Sequence, residues 1–133
     1  MATLEEKKLS VSRNDKKNGT LPRVPFLAIK EKVLGKGYEL SVSFVDEKTA
    51  KKINKDHRNK TYTPNTLSFS LTKKSGEIVM CLPAIRKEFK KFEMSEKKYL
   101  VFLLIHSMLH LKGYQHGSTM EDKEQKYLAF FTE

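Results

Sequence analysis

Ser95 to His116 reads S-E-K-K-Y-L-V-F-L-L-I-H-S-M-L-H-L-K-G-Y-Q-H, and neither glycine nor proline interrupts it from Glu96 to Lys112. A serine hydroxyl can accept a hydrogen bond from the free N–H groups of a helix's first turn, so the stretch predicts a helix over 96–112 that begins after Ser95 and stops at Gly113. Tyr99, Leu100, Val101, Phe102, Leu103, Leu104, Ile105, Met108, Leu109 and Leu111 leave its second half almost without a polar face. A helix that is apolar nearly all round belongs in the middle of a domain. The remaining elements should pack around it.

That buried helix also carries histidine, and three of the chain's four histidines fall between positions 106 and 116. A buried imidazole without partners costs about 1–3 kcal/mol per unsatisfied polar group, so something must satisfy them. His106 and His110 are four residues apart, on one helical face and about 6 Å apart along the axis, a separation from which two rings can converge on one metal ion. Gly113 can take a positive φ, after which Tyr114 and Gln115 can return the chain and bring His116 to the same ion. Three neutral imidazoles with an open fourth position match a catalytic zinc site, whereas structural zinc usually has four protein ligands with thiolates among them. Zinc peptidases with two helical histidines place a glutamate directly after the first. This chain has Ser107 there, which weakens a metallopeptidase reading, while a phosphodiester suits a metal paired with a guanidinium.

Working outward, Leu9 and Val11 alternate with serines as a short strand would, ending at a turn over 14–19. Phe26, Ile29 and Val33 recur at helical spacing, with Gly35 as the stop. Leu40, Val42 and Phe44 predict a second strand, and Asp46 caps a helix carrying Ala50 and Ile53. Leu67, Phe69 and Leu71 predict a third strand, followed by a turn over 73–76 and a buried strand over 78–82, the two forming a hairpin. Pro83 then opens a short helix through Ile85 and Phe89. The expected fold is α/β (α+β): a small mixed sheet of about four strands with helices packed on it, built as one domain over 1–133 around a central helix that bears the metal ligands.

The chain has 26 Lys plus Arg against 16 Asp plus Glu, a net charge of +10. Such a balance favours polyanionic partners, nucleic acid first, against the plainer reading of a solvated lysine surface. Basic pairs at Lys7-Lys8, Lys16-Lys17, Lys51-Lys52, Lys73-Lys74, Lys90-Lys91 and Lys97-Lys98 are spread too widely to form a tail. The lack of Trp and of an aromatic strand argues against a stacking platform of the RRM kind. One cysteine, Cys81, excludes an intramolecular disulfide framework and reads as a core thiol. Without an apolar signal core or an apolar run of about 18 residues, the chain is expected to be soluble and cytoplasmic, with no membrane partner.

H-S-M-L-H-L-K-G-Y-Q-H resembles the H-G-x-L-H-L-x-G-Y-D-H signature of the YbeY family of bacterial endoribonucleases in ribosomal RNA maturation. Upstream, His57-Arg58-Asn59-Lys60 and Thr63-Pro64-Asn65-Thr66-Leu67-Ser68-Phe69 are similar to the family's arginine and its P-T-[DN]-V-L-S-F segment, and Gly76 to Cys81 to its G-D-I-x-I-C strand. The resemblance covers about residues 8–131. It implies a metal-dependent enzyme cleaving single-stranded RNA in small-subunit rRNA processing and ribosome quality control, with ribosomal subunit or assembly factors as partners and no DNA preference. It places one transition-metal ion, zinc first and nickel as the alternative, on His106, His110 and His116. It places the family's arginine at Arg58. Arg58 and His106 are read as catalytic, and Arg58, His57 and Lys60 as substrate contacts, with His57 a solvent-facing loop residue that its place beside Arg58 could bring to a phosphate. Two positions depart from the signature: Ser107 replaces its glycine and Gln115 its aspartate. Attack by water and by the ribose 2′-OH both fit this reading. A non-catalytic RNA-binding assembly factor with a structural metal is the alternative from another class.

Overall fold

The structure, a computed structural model, describes residues 8–15 and 18–132. Lys7, Lys16 and Lys17, and with them part of the turn expected over 14–19, lie outside the described residues. Among the described residues, four strands and five α-helices follow in the order β1 (Leu9–Arg13), α1 (Phe26–Val33), β2 (Glu39–Phe44), α2 (Glu47–Arg58), β3 (Thr66–Thr72), β4 (Ser75–Met80), α3 (Leu82–Glu88), α4 (Glu96–Leu111) and α5 (Ser118–Thr132). A 3-10 turn over Phe89–Phe92 joins α3 to α4.

The sheet order is β1-β2-β4-β3, with β1, β2 and β4 parallel and β3 antiparallel on the β4 edge. Helices α1 and α2 lie in the connections that parallel strands require. Each begins or ends as its sequence dictates: Asp46 accepts the Thr49 N–H at 2.8 Å at the start of α2, and Gly35, at φ +94°, carries the chain out of α1.

Alternation sorts the sheet into two faces. Leu40, Val42, Phe44, Ile78 and Met80 share one face and join Ile29, Val33, Leu100, Leu104, Ile105, Met108 and Leu109 in the main core. Leu67, Val79 and Phe69 share the opposite face, where they pack with Ala50 and Ile53 of α2. Helix α4 therefore lies against the sheet with α1, α3 and α5 around it, its start capped by Ser95, which accepts the Lys98 N–H at 3.1 Å. Full burial of each large aliphatic side chain in such a core contributes about 1.5–3 kcal/mol.

The structure departs from the sequence reading at two strand boundaries and adds a helix. The hairpin turn is confined to Lys73 and Lys74, because Ser75 and Gly76 already pair with Thr72 and Ser70. A side chain at Gly76 would stand 2.5 Å from the Tyr38 hydroxyl and 2.9 Å from Leu111 Cδ2, so this glycine serves close packing rather than a turn. Strand β4 ends at Met80, and the apolar run through Leu82 is continuous because α3 begins buried at Leu82. Helix α5 is an addition, its inward stripe of Met120, Glu124 and Leu128 obscured in sequence by flanking charge.

Candidate metal centre

The C-terminal end of α4 assembles the three histidines. Gly113 takes φ +103°, its N–H donates to the His110 carbonyl at 3.0 Å, and the Tyr114 N–H donates to the Leu109 carbonyl at 3.0 Å. The chain reverses within these residues, and His116 folds back over the helix end. Ring centroids stand 4.6 Å apart for His106 and His110, 5.2 Å for His106 and His116, and 4.7 Å for His110 and His116. One ring nitrogen from each lies within 4.8 Å of the others.

The two helical rings are oriented from behind. Nδ1 of His106 donates to Oε2 of Glu124 at 2.8 Å, and Nδ1 of His110 donates to the Tyr114 carbonyl at 3.1 Å. Because both partners are acceptors, each Nδ1 carries a ring proton, and in the neutral form of each ring Nε2 then presents a bare lone pair. These lone pairs face each other at 3.2 Å, an arrangement that repels unless a cation or a shared proton lies between them. Two nitrogens bound tetrahedrally to one zinc at about 2.0–2.1 Å would stand about 3.3–3.4 Å apart. The cluster fits a metal site. Burial, then the neighbouring His106, lowers the pKa of His110 and favours its neutral form, while His116 is exposed and leaves the site open on its outer side.

The histidines form one wall of a cleft of about 670 Å³ whose opposite wall is β3 and the segment before it. Thr66 and Ser68 pair with Met80 and Ile78, so they point toward α4. Small hydroxyl residues there leave room that leucine would fill. Ser107 is buried, and its hydroxyl shares a 3.0 Å hydrogen bond with that of Thr66.

Arg58, the last residue of α2, lines the same cleft. Its Nη1 donates to Asn54 Oδ1 at 3.2 Å and to the Tyr62 hydroxyl at 3.3 Å. His57 and Lys60 are exposed and do not line the cleft. His57 lies in the last turn of α2 rather than in a loop, because the helix continues to Arg58 and turns left-handed only at Asn59, φ +56°; its ring packs on Phe69 at 5.2 Å. Cys81 is buried, and burial raises its thiol pKa. Gln115 is exposed.

Four partners escaped the sequence reading: Glu124, Asn54, Tyr62 and the Thr66–Ser107 pair. Glu124 had a signal, being the one carboxylate at i+4 spacing between Met120 and Leu128. Asn54 stands in a helix of otherwise solvated polar residues, so nothing in the pattern marks it as fully buried.

The family model described as Endoribonuclease YbeY matches residues 2–131. The chain belongs to the YbeY family. Relatives named Endoribonuclease YbeY include those of Finegoldia magna, 38% identical over 59% of this chain and 56% of its own length, and Mesoplasma florum, 30% identical over 77% and 64%. A third, from Staphylococcus carnosus, is 31% identical over 73% of this chain and 71% of its own. The match to the Finegoldia magna relative thus spans a little over half of that protein. The fold is also similar to the solution structure of a Thermotoga maritima protein, with a TM-score of 0.63, 24% identity and coverage of 90% of this chain and 86% of the other.

Proposed function

We propose that this chain is a metal-dependent endoribonuclease that cuts single-stranded RNA in ribosomal RNA maturation and ribosome quality control, working in the cytoplasm with the small ribosomal subunit or its assembly factors. The carrying observation is that one cleft holds both a converging set of imidazole nitrogens and the guanidinium of Arg58. His106, His110 and His116 would hold one transition-metal ion, zinc first and nickel as the alternative. Bound there, the ion supplies Lewis acidity to lower the pKa of a water and to draw charge from a phosphoryl group.

The chain's own groups do the rest. Glu124 keeps the ring proton of His106 on Nδ1, so that the Nε2 lone pair stays available to hold the ion, which is the catalytic part assigned to His106. Arg58, steadied by Asn54 and Tyr62, grips the scissile phosphate and stabilises charge that develops on it. The net charge of +10 steers RNA toward the cleft. His57 and Lys60 lie outside the cleft, and their contribution to binding is reduced to this general attraction.

The open side at His116 supports a catalytic rather than a structural ion, since structural zinc is closed by four protein ligands. No glutamate follows His106, and the hydroxyl of Ser107 is engaged by Thr66, which does not suit peptide hydrolysis. The test is cleavage of an unstructured RNA by metal-loaded and chelator-stripped protein. Cleavage that vanishes on stripping and returns with zinc or nickel supports the nuclease; metal binding with no cleavage under any loading favours the assembly factor.

A further inference from the structure

Four large hydrophobic side chains are well exposed among the described residues: Tyr62, Leu71, Phe92 and Phe130. Phe92 stacks on Tyr99 at 5.1 Å, and Phe130 is covered by the Lys32 ammonium at 4.6 Å and by Phe131. Among the described residues no other ring or cation packs on Tyr62, although 54% of it is exposed and it lines the metal cleft.

This open residue is nonetheless held at both its carbonyl and its hydroxyl. The Tyr62 carbonyl accepts from Asn54 Nδ2 at 3.0 Å, and its hydroxyl accepts from Arg58 at 3.3 Å. Asn54 is fully buried, so the anchor itself does not move with solvent. Immobilising an exposed side chain loses rotamer freedom, and the fold recovers little apolar burial in return. The arrangement instead suits a ligand that presents a flat π-face beside a phosphate. A nucleotide in a single strand does so, because every base has such a face and its phosphate lies within reach of a neighbouring guanidinium.

We infer that Tyr62 forms a base-stacking subsite for single-stranded RNA, receiving the nucleobase next to the phosphate held by Arg58. The inference rests on the nuclease reading above and adds the part of the substrate that the cleft holds by shape rather than charge. Stacking of this kind tolerates any base, so the subsite would strengthen binding without reading sequence.

The test is the protein-concentration dependence of single-turnover cleavage, using metal-loaded protein, a short unstructured RNA and a matching series in which each RNA lacks one base. Tyr62→Ala should raise the half-saturating concentration about 5- to 100-fold on the intact RNA. Tyr62→Phe keeps the ring but loses the hydroxyl's hydrogen bond from Arg58, so it should lose several-fold less than Tyr62→Ala. An abasic nucleotide at one position beside the cleaved bond should weaken the wild type similarly and bring it level with the alanine variant. The subsite is overturned if Tyr62→Ala binds normally, if its loss persists in full on every abasic RNA, or if Tyr62→Phe loses as much as Tyr62→Ala. The last outcome would make the hydroxyl's hold on Arg58 the whole effect. In all three the wild type still cleaves in a metal-dependent way, so the nuclease reading survives; a wild type that neither binds nor cleaves RNA overturns both.

Discussion

Helix α4 meets the sheet in two ways. Over β2 and the buried half of β4 it faces Val42, Phe44, Ile78 and Met80, each with no exposed surface, and the contact is sealed. Over β3 the same helix faces Thr66 and Ser68, and the contact opens into the cleft. Side-chain volume accounts for the difference, since hydroxyl residues on the edge strand leave unfilled the space that branched aliphatics close elsewhere. The candidate site lies where the sequence leaves the core unfilled, next to a sealed part that frames its histidines.

The sealed side should give the largest response. Leu104→Ala, at a site with no exposed surface, should lower unfolding stability by about 2–5 kcal/mol in a denaturant titration while leaving metal content per folded chain unchanged. A large loss of metal from folded protein would show that the two regions are not separable. On the open side, Arg58→Lys should slow single-turnover RNA cleavage about a hundredfold, because an ammonium keeps the charge but cannot grip two phosphate oxygens in one plane. Cleavage at the wild-type rate would reduce Arg58 to a surface cation.

Glu124→Gln separates orientation from ligation. The amide retains the size of the carboxylate but holds the His106 ring less firmly and makes it a poorer base, so metal affinity should fall about 10- to 100-fold in a competition titration. Unchanged affinity would mean that the 2.8 Å contact serves only the fold. The smallest effect belongs to the seam between the regions: Thr66→Val removes the hydroxyl contact with buried Ser107 and should cost about 1 kcal/mol of stability with little change in metal affinity.

The two regions also differed in how plainly the sequence displayed them. The sealed side was legible because strict alternation in Leu40 to Phe44 and the uninterrupted apolar run of α4 each match one element. The histidine spacing was equally plain, because two of the rings lie four residues apart on one helix and the third follows a glycine turn. What orients them was hidden. Glu124 comes from α5, whose buried stripe of Met120, Glu124 and Leu128 is interleaved with exposed Glu121, Asp122, Gln125 and Lys126, so local periodicity reads as a solvated helix or none. Asn54 and Tyr62 act on Arg58 through contacts that depend on where α2 ends, a boundary set by the left-handed Asn59. His57 and Lys60 were read as substrate contacts from their place beside Arg58, and neither lines the cleft.

The central claim is that bare Nε2 lone pairs, created by acceptors behind two of the histidines, hold one metal ion with His116. Titration of stripped protein with zinc, followed by metal analysis of the desalted chain, tests it most directly. The account predicts one ion per chain for the wild type and none retained by His106→Ala, His110→Ala or His116→Ala at the same zinc concentration. A wild-type chain that retains no zinc, nickel or cobalt, or variants that retain a full equivalent without these histidines, would contradict it.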